Sequence, residues 1–490
     1  MSRLSSQSSP CRKYTDRFTL LPGRCYVQQS TAIALLSGKG DQACPSCPSR
    51  TSSQFPNAFI TIDESAVLAA ARDADEARAA GAGAPLLGVP IGVKDSYATR
   101  GLRTTLGVGT LADFTPDEDA DAVGSIKDAG GIVLGKVNLV EMSFGLTGHN
   151  SRYGQVRNPY GHDHVPGGSS SGSGASVAAR LVPAALGGDT VGSIRVPASL
   201  CGVVGFKPTT GRWPRGGVAP ISHTLDTTGV LARSVEDCAL IDQVVTAGVS
   251  APRSDRSDRS DLRGTRFAVA PRQYMELIDP ETEAQFGNAL LRLRDAGAEV
   301  VEIDLGEDFS ALADRLTWNL FFRETRESVT EFLRQNNFPV SFDDIYAELK
   351  PELKEVWSHL VLPSGQGHLS EEAYEATLAV ERPELQRRFG KVFTSGFDAL
   401  LFPTTPCPAP PIEHRSKFTV AGEEVNDLFL AKNTVPTSGA GLPGISLPIG
   451  LNGHGLPIGL EIDAAYGHDR ELLDLARRVE SVLDTLPAPA

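Results

Sequence analysis

At 490 residues, with 41% hydrophobic and 22% charged side chains, the chain has the make-up of a soluble globular protein with a sizeable core. A formal charge of −14 weighs against a nucleic-acid groove or an anionic membrane as partner. No apolar run reaches the roughly 18 residues of a bilayer span, and seven irregularly spaced cysteines fit a reducing compartment such as the cytoplasm.

Residues 1–55 stand apart. Seven Lys/Arg in the first fifty residues face only Asp16 and Asp41, with much serine and little periodicity. That is partly the composition of an organelle transit peptide, and equally that of a poorly ordered tail or a wrongly assigned start. Cys44-Pro45-Ser46-Cys47 is a lone C-x-x-C with no strand before it and no second pair, a weak redox or zinc signal. The folded domain is expected over 56–490. It opens with an ordered run at 57–62, after which Asp63 or Ser65 caps a helix to about Ala80, stopped by Gly81 and Gly83. Residues 86–95, LLGVPIGVKD, read as an apolar strand that delivers Lys94 at its end. Taken alone, such a lysine is a solvated strand terminus.

A helix over 120–129 and a strand over 131–137 continue the alternation. Lys136, Asn138 and Glu141 follow and read as structural. His162 and His164 form an H-x-H pair without an evident third ligand, so a surface loop is the simpler reading.

Most of the functional information lies in 165–198, VPGGSSSGSGASVAARLVPAALGGDTVGSIRVPA. Two Gly/Ser loops, 167–172 and 187–193, flank an Ala/Val-rich run expected to be a helix over 175–182. Glycine lets backbone approach a ligand so that successive N–H groups converge on one oxygen. Serines on such loops are candidate nucleophiles and proton carriers. A flexible linker would not alternate with a helical run and a buried-looking VPAAL segment. A phosphate loop would need a lysine after the glycines. Gly168-Ser169-Ser170-Ser171-Gly172 satisfies G-x-S-x-G, but that nucleophile elbow must follow a strand, and here a loop precedes it.

The stretch resembles the signature of the amidase signature family, serine hydrolases that cleave carboxamides with a Ser–Ser–Lys triad. Its pattern, roughly GGSSxGS, a helix, then GTDTGGS[IV]RxPA, is matched nearly residue for residue. The resemblance implies that Ser169 is the bridging serine, set on a cis peptide, and that Ser193, from 169 to 193 a spacing of 24 residues, is the nucleophile. Gly88-Val89-Pro90-Ile91-Gly92-Val93-Lys94-Asp95 is similar to the family's G-x-P-x-x-x-K-D, which makes Lys94 the base. A buried lysine can be neutral near pH 7 because desolvation disfavours the ammonium. The oxyanion would be held by the N–H groups of Thr190, Val191, Gly192 and Ser193, with Asp189 and Arg195 bracing the loop. Two departures stand out: Gly188 where threonine is usual, and Val191 where glycine is usual. A β-branched residue tolerates positive φ poorly, so Val191 bears on the oxyanion site. Residues 201–209 extend the match into a further strand.

Beyond a charged Ser-Asp-Arg repeat over 254–261, read as a solvated connection, strands are expected at 266–270 and 299–304 around a helix over 281–296. Longer helices should fill 311–334 and 370–389, and a strand 398–402. A hairpin over 445–449 and 458–462 should precede a last helix at 469–482. Aromatics at 318–322 and 338–362 are the candidate wall of an acyl pocket. Periodicity alone gives an α/β class in one domain; the resemblance implies a large mixed β-sheet flanked by helices.

Residues 180–186, 195–198 and 433–448 are most similar to hydrolases of small aryl-acetamides. The expected activity is hydrolysis of a small amide through an acyl-enzyme, without metal or organic cofactor, nucleic acid or membrane, and with a homodimer left open. The alternatives are the glutaminase component of the tRNA-dependent amidotransferase, which usually has glutamine where Val196 stands, and an inactive binding homologue.

Overall fold

Apolar runs along the chain supply the strands of one extended sheet. The computed structural model describes residues 56–246 and 261–489; the expectations for 1–55 and for 254–260 lie outside these. Strands β1 (Phe59–Thr61), β2 (Pro90–Lys94), β3 (Ile132–Val137), β4 (Ala184–Asp189), β5 (Val204–Lys207), β6 (Thr227–Ala232), β7 (Arg266–Val269), β8 (Glu299–Glu302) and β9 (Ala399–Pro403) come first. A separate two-stranded hairpin, β10 (Lys417–Val420) and β11 (Glu423–Asn426), precedes the closing pair β12 (Gly444–Leu451) and β13 (Pro457–Asp463). Among the described residues eleven strands form one sheet, in the order β1-β3-β2-β4-β6-β5-β12-β13-β9-β7-β8.

The sheet is mixed. β2 lies parallel to both β3 and β4, and β7 parallel to β8 and β9. The strands between these two blocks pair antiparallel. Parallel neighbours need a crossover, and helices supply it. In chain order the helices are α1 (Glu64–Ala79), α2 (Asp121–Asp128), which crosses from β2 to β3, α3 (Ser171–Ala178), which crosses from β3 to β4, and then α4 (Arg195–Cys201) and α5 (Val235–Val245). After them come α6 (Pro280–Asp295) between β7 and β8, the long α7 (Phe309–Gln335), and α8 (Asp469–Val482). This is the single α/β domain with a large mixed sheet that the sequence led us to expect.

Local signals explain many boundaries. Asp63 accepts the Ala66 N–H and caps α1, and Gly81 at φ +88 ends it. The β12–β13 turn closes on Asn452, whose Oδ1 accepts the N–H groups of His454 and Leu456. The central element differs from expectation. The helix predicted at 175–182 begins at Ser171 and ends at Ala178, and Gly187-Gly188-Asp189, read as a loop, completes β4. The reason is close packing. A Cβ at Gly172 would lie 2.4 Å from the Asn138 backbone nitrogen, so only glycine lets α3 settle here. Ser173 donates to the Leu186 carbonyl at 2.9 Å, and Gly187 and Gly188 pair with Gly229 and Thr228 of β6. Strand β6, helix α5 and the small hairpin carried no reading from sequence.

Candidate active site

Lys94 is the last residue of β2, and all five strand residues are buried. Its Nζ donates to Ser169 Oγ at 2.8 Å. Burial pushes the amine down to about 7, against the pull of Asp189 and Asp226. Ser169 follows a cis Gly168–Ser169 peptide, and its carbonyl accepts the Val140 N–H. Gly167, at φ +81, lies so near α4 that a Cβ would stand 2.7 Å from the Pro197 Cα.

The second loop is locked to the first through backbone. Ser170 N–H donates to the Ser193 carbonyl at 3.2 Å, and Ser170 Oγ bonds both the carbonyl and the N–H of Gly188. Asp189 closes the turn by accepting the Ile194 N–H at 3.1 Å and the Arg195 guanidinium at 3.0 Å. Burial alone would raise its carboxyl, but Arg195 holds it below the usual carboxylate range. Arg195 also reaches Ser438 Oγ at 2.7 Å and the Thr434 carbonyl at 3.2 Å. Asp189 and Arg195 therefore brace the loop.

Between Asp189 and α4, Thr434 Oγ1 donates to the Val191 carbonyl at 2.6 Å. The N–H groups of Thr190, Val191, Gly192 and Ser193 meet no protein acceptor among the described residues. Four consecutive unpaired donors in a largely buried loop are unusual, since buried N–H groups are nearly always bonded. The concern over Val191 is resolved by the backbone. Val191 does not take positive φ; Gly192 does, at +148. A Cβ on Gly192 would lie 2.3 Å from Thr434 Oγ1, whereas the Val191 side chain packs into the apolar core. Gly188 likewise needs no glycine on steric grounds: a Cβ would sit 3.9 Å from Lys94 Nζ, an ordinary contact.

A cavity of about 470 Å³ opens over this centre. Lys94, Ser169, Thr190 and Asp226 give its polar wall, and Ile221 and Phe332 part of its apolar wall. That size and mixture suit a small organic molecule. The structure thus joins Lys94 to Ser169 and sets Thr190 beside them. Ser193, 4% exposed, is not among the residues that line the cavity, and its hydroxyl makes no hydrogen bond among the described residues.

The aromatics expected to build the pocket do otherwise. Phe321 and Trp357 each stack edge-on to Phe144 at 5.0 Å, and Phe342 packs on Trp357 at 5.1 Å. They form core. Residues 218–221 and the later turns of α7 line the cavity instead. Lys136 pairs with Asp95 at 3.3 Å; Asn138 bonds the Asn57 carbonyl; Glu141 holds Ser151 and the Lys350 N–H. All three are structural, as read. His162 and His164 lie in a short turn closed by Asn158 N–H on the His164 carbonyl. Asp226 was missed, and Thr434, although within the 433–448 stretch of resemblance, had no role read for it; both act through contacts distant in sequence.

Comparison with known proteins gives a consistent picture. The family model Amidase matches residues 49–473. The chain is 37% identical over 448 residues to a mandelamide hydrolase from Pseudomonas putida, covering 88% of this chain and 86% of that protein. It is 36% identical over 447 residues to the first-named (A) component of the glutamyl-tRNA(Gln) amidotransferase from Pseudomonas entomophila (strain L48), covering 87% and 90%. The structure superposes on the native peptide amidase from Stenotrophomonas maltophilia with a TM-score of 0.73 at 28% identity, covering 95% of each chain.

Proposed function

The chain belongs to the Amidase family and is an amidase acting on C–N bonds, and on that premise we propose that it hydrolyses small aryl-acetamide-type amides through a Ser193–Ser169–Lys94 relay. The observation that carries this is the 2.8 Å bond from a fully buried Lys94 amine to Ser169 Oγ on the wall of the cavity. A lysine brought to about 7 by burial is neutral for a large fraction of molecules at neutral pH.

In this reading neutral Lys94 takes the Ser169 proton as Ser169 takes that of Ser193. Ser193 Oγ, free of other partners among the described residues, turns toward Ser169 and attacks the amide carbonyl. A serine hydroxyl needs such a base to act as nucleophile. The charge that develops on the carbonyl oxygen meets the unpaired N–H groups of the 190–193 loop. The relay then returns the proton to the leaving nitrogen, and water clears the acyl-enzyme by the same path.

The mandelamide hydrolase relative and Val196 favour an aryl-acetamide over the glutaminase half-reaction of an amidotransferase. The test is ammonia release from a panel of primary amides by the purified chain alone, without ATP or tRNA. Turnover of aryl-acetamides supports the reading. Activity confined to glutamine, and only with partner proteins and charged tRNA, replaces it with the amidotransferase.

A further inference from the structure

The cavity wall carries a buried carboxylate, that of Asp226, which the relay does not use. Asp226 begins the run into β6. Its Oδ1 accepts the Thr190 hydroxyl at 2.7 Å, and its Oδ2 accepts the N–H groups of Ile221 and Ser222 at 2.8 and 3.0 Å. It thus ties the apolar wall at 218–223 to the first residue of the loop with unpaired N–H groups. The wall is itself anchored from α7. Buried Glu324 accepts Ser222 Oγ at 2.5 Å, the Thr224 N–H at 3.0 Å, Thr224 Oγ1 at 2.6 Å and Tyr374 OH at 2.9 Å.

Two carboxylates pull the Lys94 amine upward against burial, Asp189 more than Asp226, and the two are compensated differently. Asp189 and Asp226 are the carboxylates that face it. Asp189 has both oxygens bonded to the Arg195 guanidinium, so a formal cation already balances it. Asp226 is bonded only by neutral donors, and no cation stands within ion-pair distance of it among the described residues. Arg215 acts on it from farther away while donating to the carbonyls of His223 and Asp226. His223, Glu327 and Glu331 line the same cavity toward its mouth.

We propose that Asp226 is a positioning residue of the Lys94 centre: it holds Thr190, and with it the 190–193 N–H groups, against the cavity wall, and its charge, with no cation at ion-pair distance, adds to the hold of Lys94 on its proton. Burial raises the Asp226 carboxyl to about 6, so it is ionised when Lys94 titrates near 7. Removing that charge disfavours the ammonium, and Lys94 loses its proton at lower pH. Removing the hydroxyl link instead loosens the loop and leaves the charge.

This rests on the serine–lysine reading, so the test uses a readout independent of which amide is the substrate. The rate of labelling by a fluorophosphonate, followed by intact mass against pH, reports the nucleophile and its base directly. The Asp226→Asn variant should label about tenfold more slowly on the plateau, with its acid limb displaced downward by about one pH unit. Thr190→Val should slow labelling with the limb in place, and Thr190→Ser should recover most of the loss. Glu324→Gln, which loosens the wall without touching a charge that faces Lys94, should leave the limb unmoved. An Asp226→Asn protein that labels with the wild-type limb overturns the assignment and spares the hydrolase reading. Should that variant not fold, Thr190→Val labelling at the wild-type rate overturns it equally. A wild-type chain that is not labelled at all overturns the serine–lysine reading, and this inference with it.

Discussion

Lys94 and Lys136 sit one rung apart on neighbouring parallel strands, Lys94 opposite Val137 and Val93 opposite Lys136. Both amines are buried, and both are pushed down by burial, to about 7 and about 8. Their surroundings differ in kind. Lys136 Nζ is held by the Tyr97 carbonyl at 2.6 Å, Thr104 Oγ1 at 2.7 Å and Asp95 at 3.3 Å. Among the described residues Lys94 has a single hydrogen-bond partner, a serine hydroxyl, and it faces a cavity. Burial weakens the hold of either amine on its proton; Lys94, with no carboxylate at ion-pair distance among the described residues, keeps its lone pair available to a hydroxyl. A buried lysine beside a carboxylate is a brace, and one beside a hydroxyl and a void is a candidate base.

The contrast can be broken from both sides. The largest effect should come from Ser193→Ala, which removes the proposed attacking oxygen: amide turnover should fall to background and intact mass should show no acyl adduct. Retained wild-type turnover would end the assignment. Lys94→Ala should cost on the order of 10²–10⁴-fold in kcat/KM. The wild-type profile should rise as pH passes through about 7, because the base form fills as the depressed amine loses its proton, and the variant should lack that limb.

The converse change, Lys136→Met, leaves Asp95 buried without its cation. Breaking such a pair typically costs about 3–5 kcal/mol, which denaturant unfolding measures. The folded fraction should keep the acid limb that Lys94 sets. A lost limb with intact stability would show that the two lysines had been assigned the wrong way round. The smallest change tests the open flank of Lys94. Gly188→Ala places a methyl at ordinary contact distance from Nζ without backbone strain. It should fold normally and move the limb down by about a few tenths of a unit, as solvent is displaced from the ammonium. Gly188→Thr, whose hydroxyl can accept from the ammonium, should move it back up.

What could be read from the chain alone was local. Asp63 before an Ala-rich run, Gly81 after it, the closing hairpin and the amphipathic last helix are signals carried within a few residues, and those elements lie where expected. The Gly/Ser loops that carry Ser169 and Ser193 stood out as well, because glycine and serine in that order have little use in an ordinary core; Lys94, a solvated strand terminus when taken alone, was singled out only by the family resemblance. Tertiary packing decided the rest. Glycines 172, 187 and 188 looked like loop, yet they belong to a helix and a strand, and at 172 and 187 a neighbour stands too close for a larger residue. The aromatics of 318–322 and 338–362 looked like pocket, yet they found one another and became core. Whether Val191 would strain its loop depended on which residue carried the positive φ, and Thr434, from a distant segment, leaves room for only glycine at 192. The charge of Asp226 acquires meaning beside Thr190 and Lys94, which stand 36 and 132 residues before it in the chain. Spacing records what a residue's neighbours along the chain require; burial, compensation of charge and the shape of a cavity are set by residues that meet only when the sheet has closed.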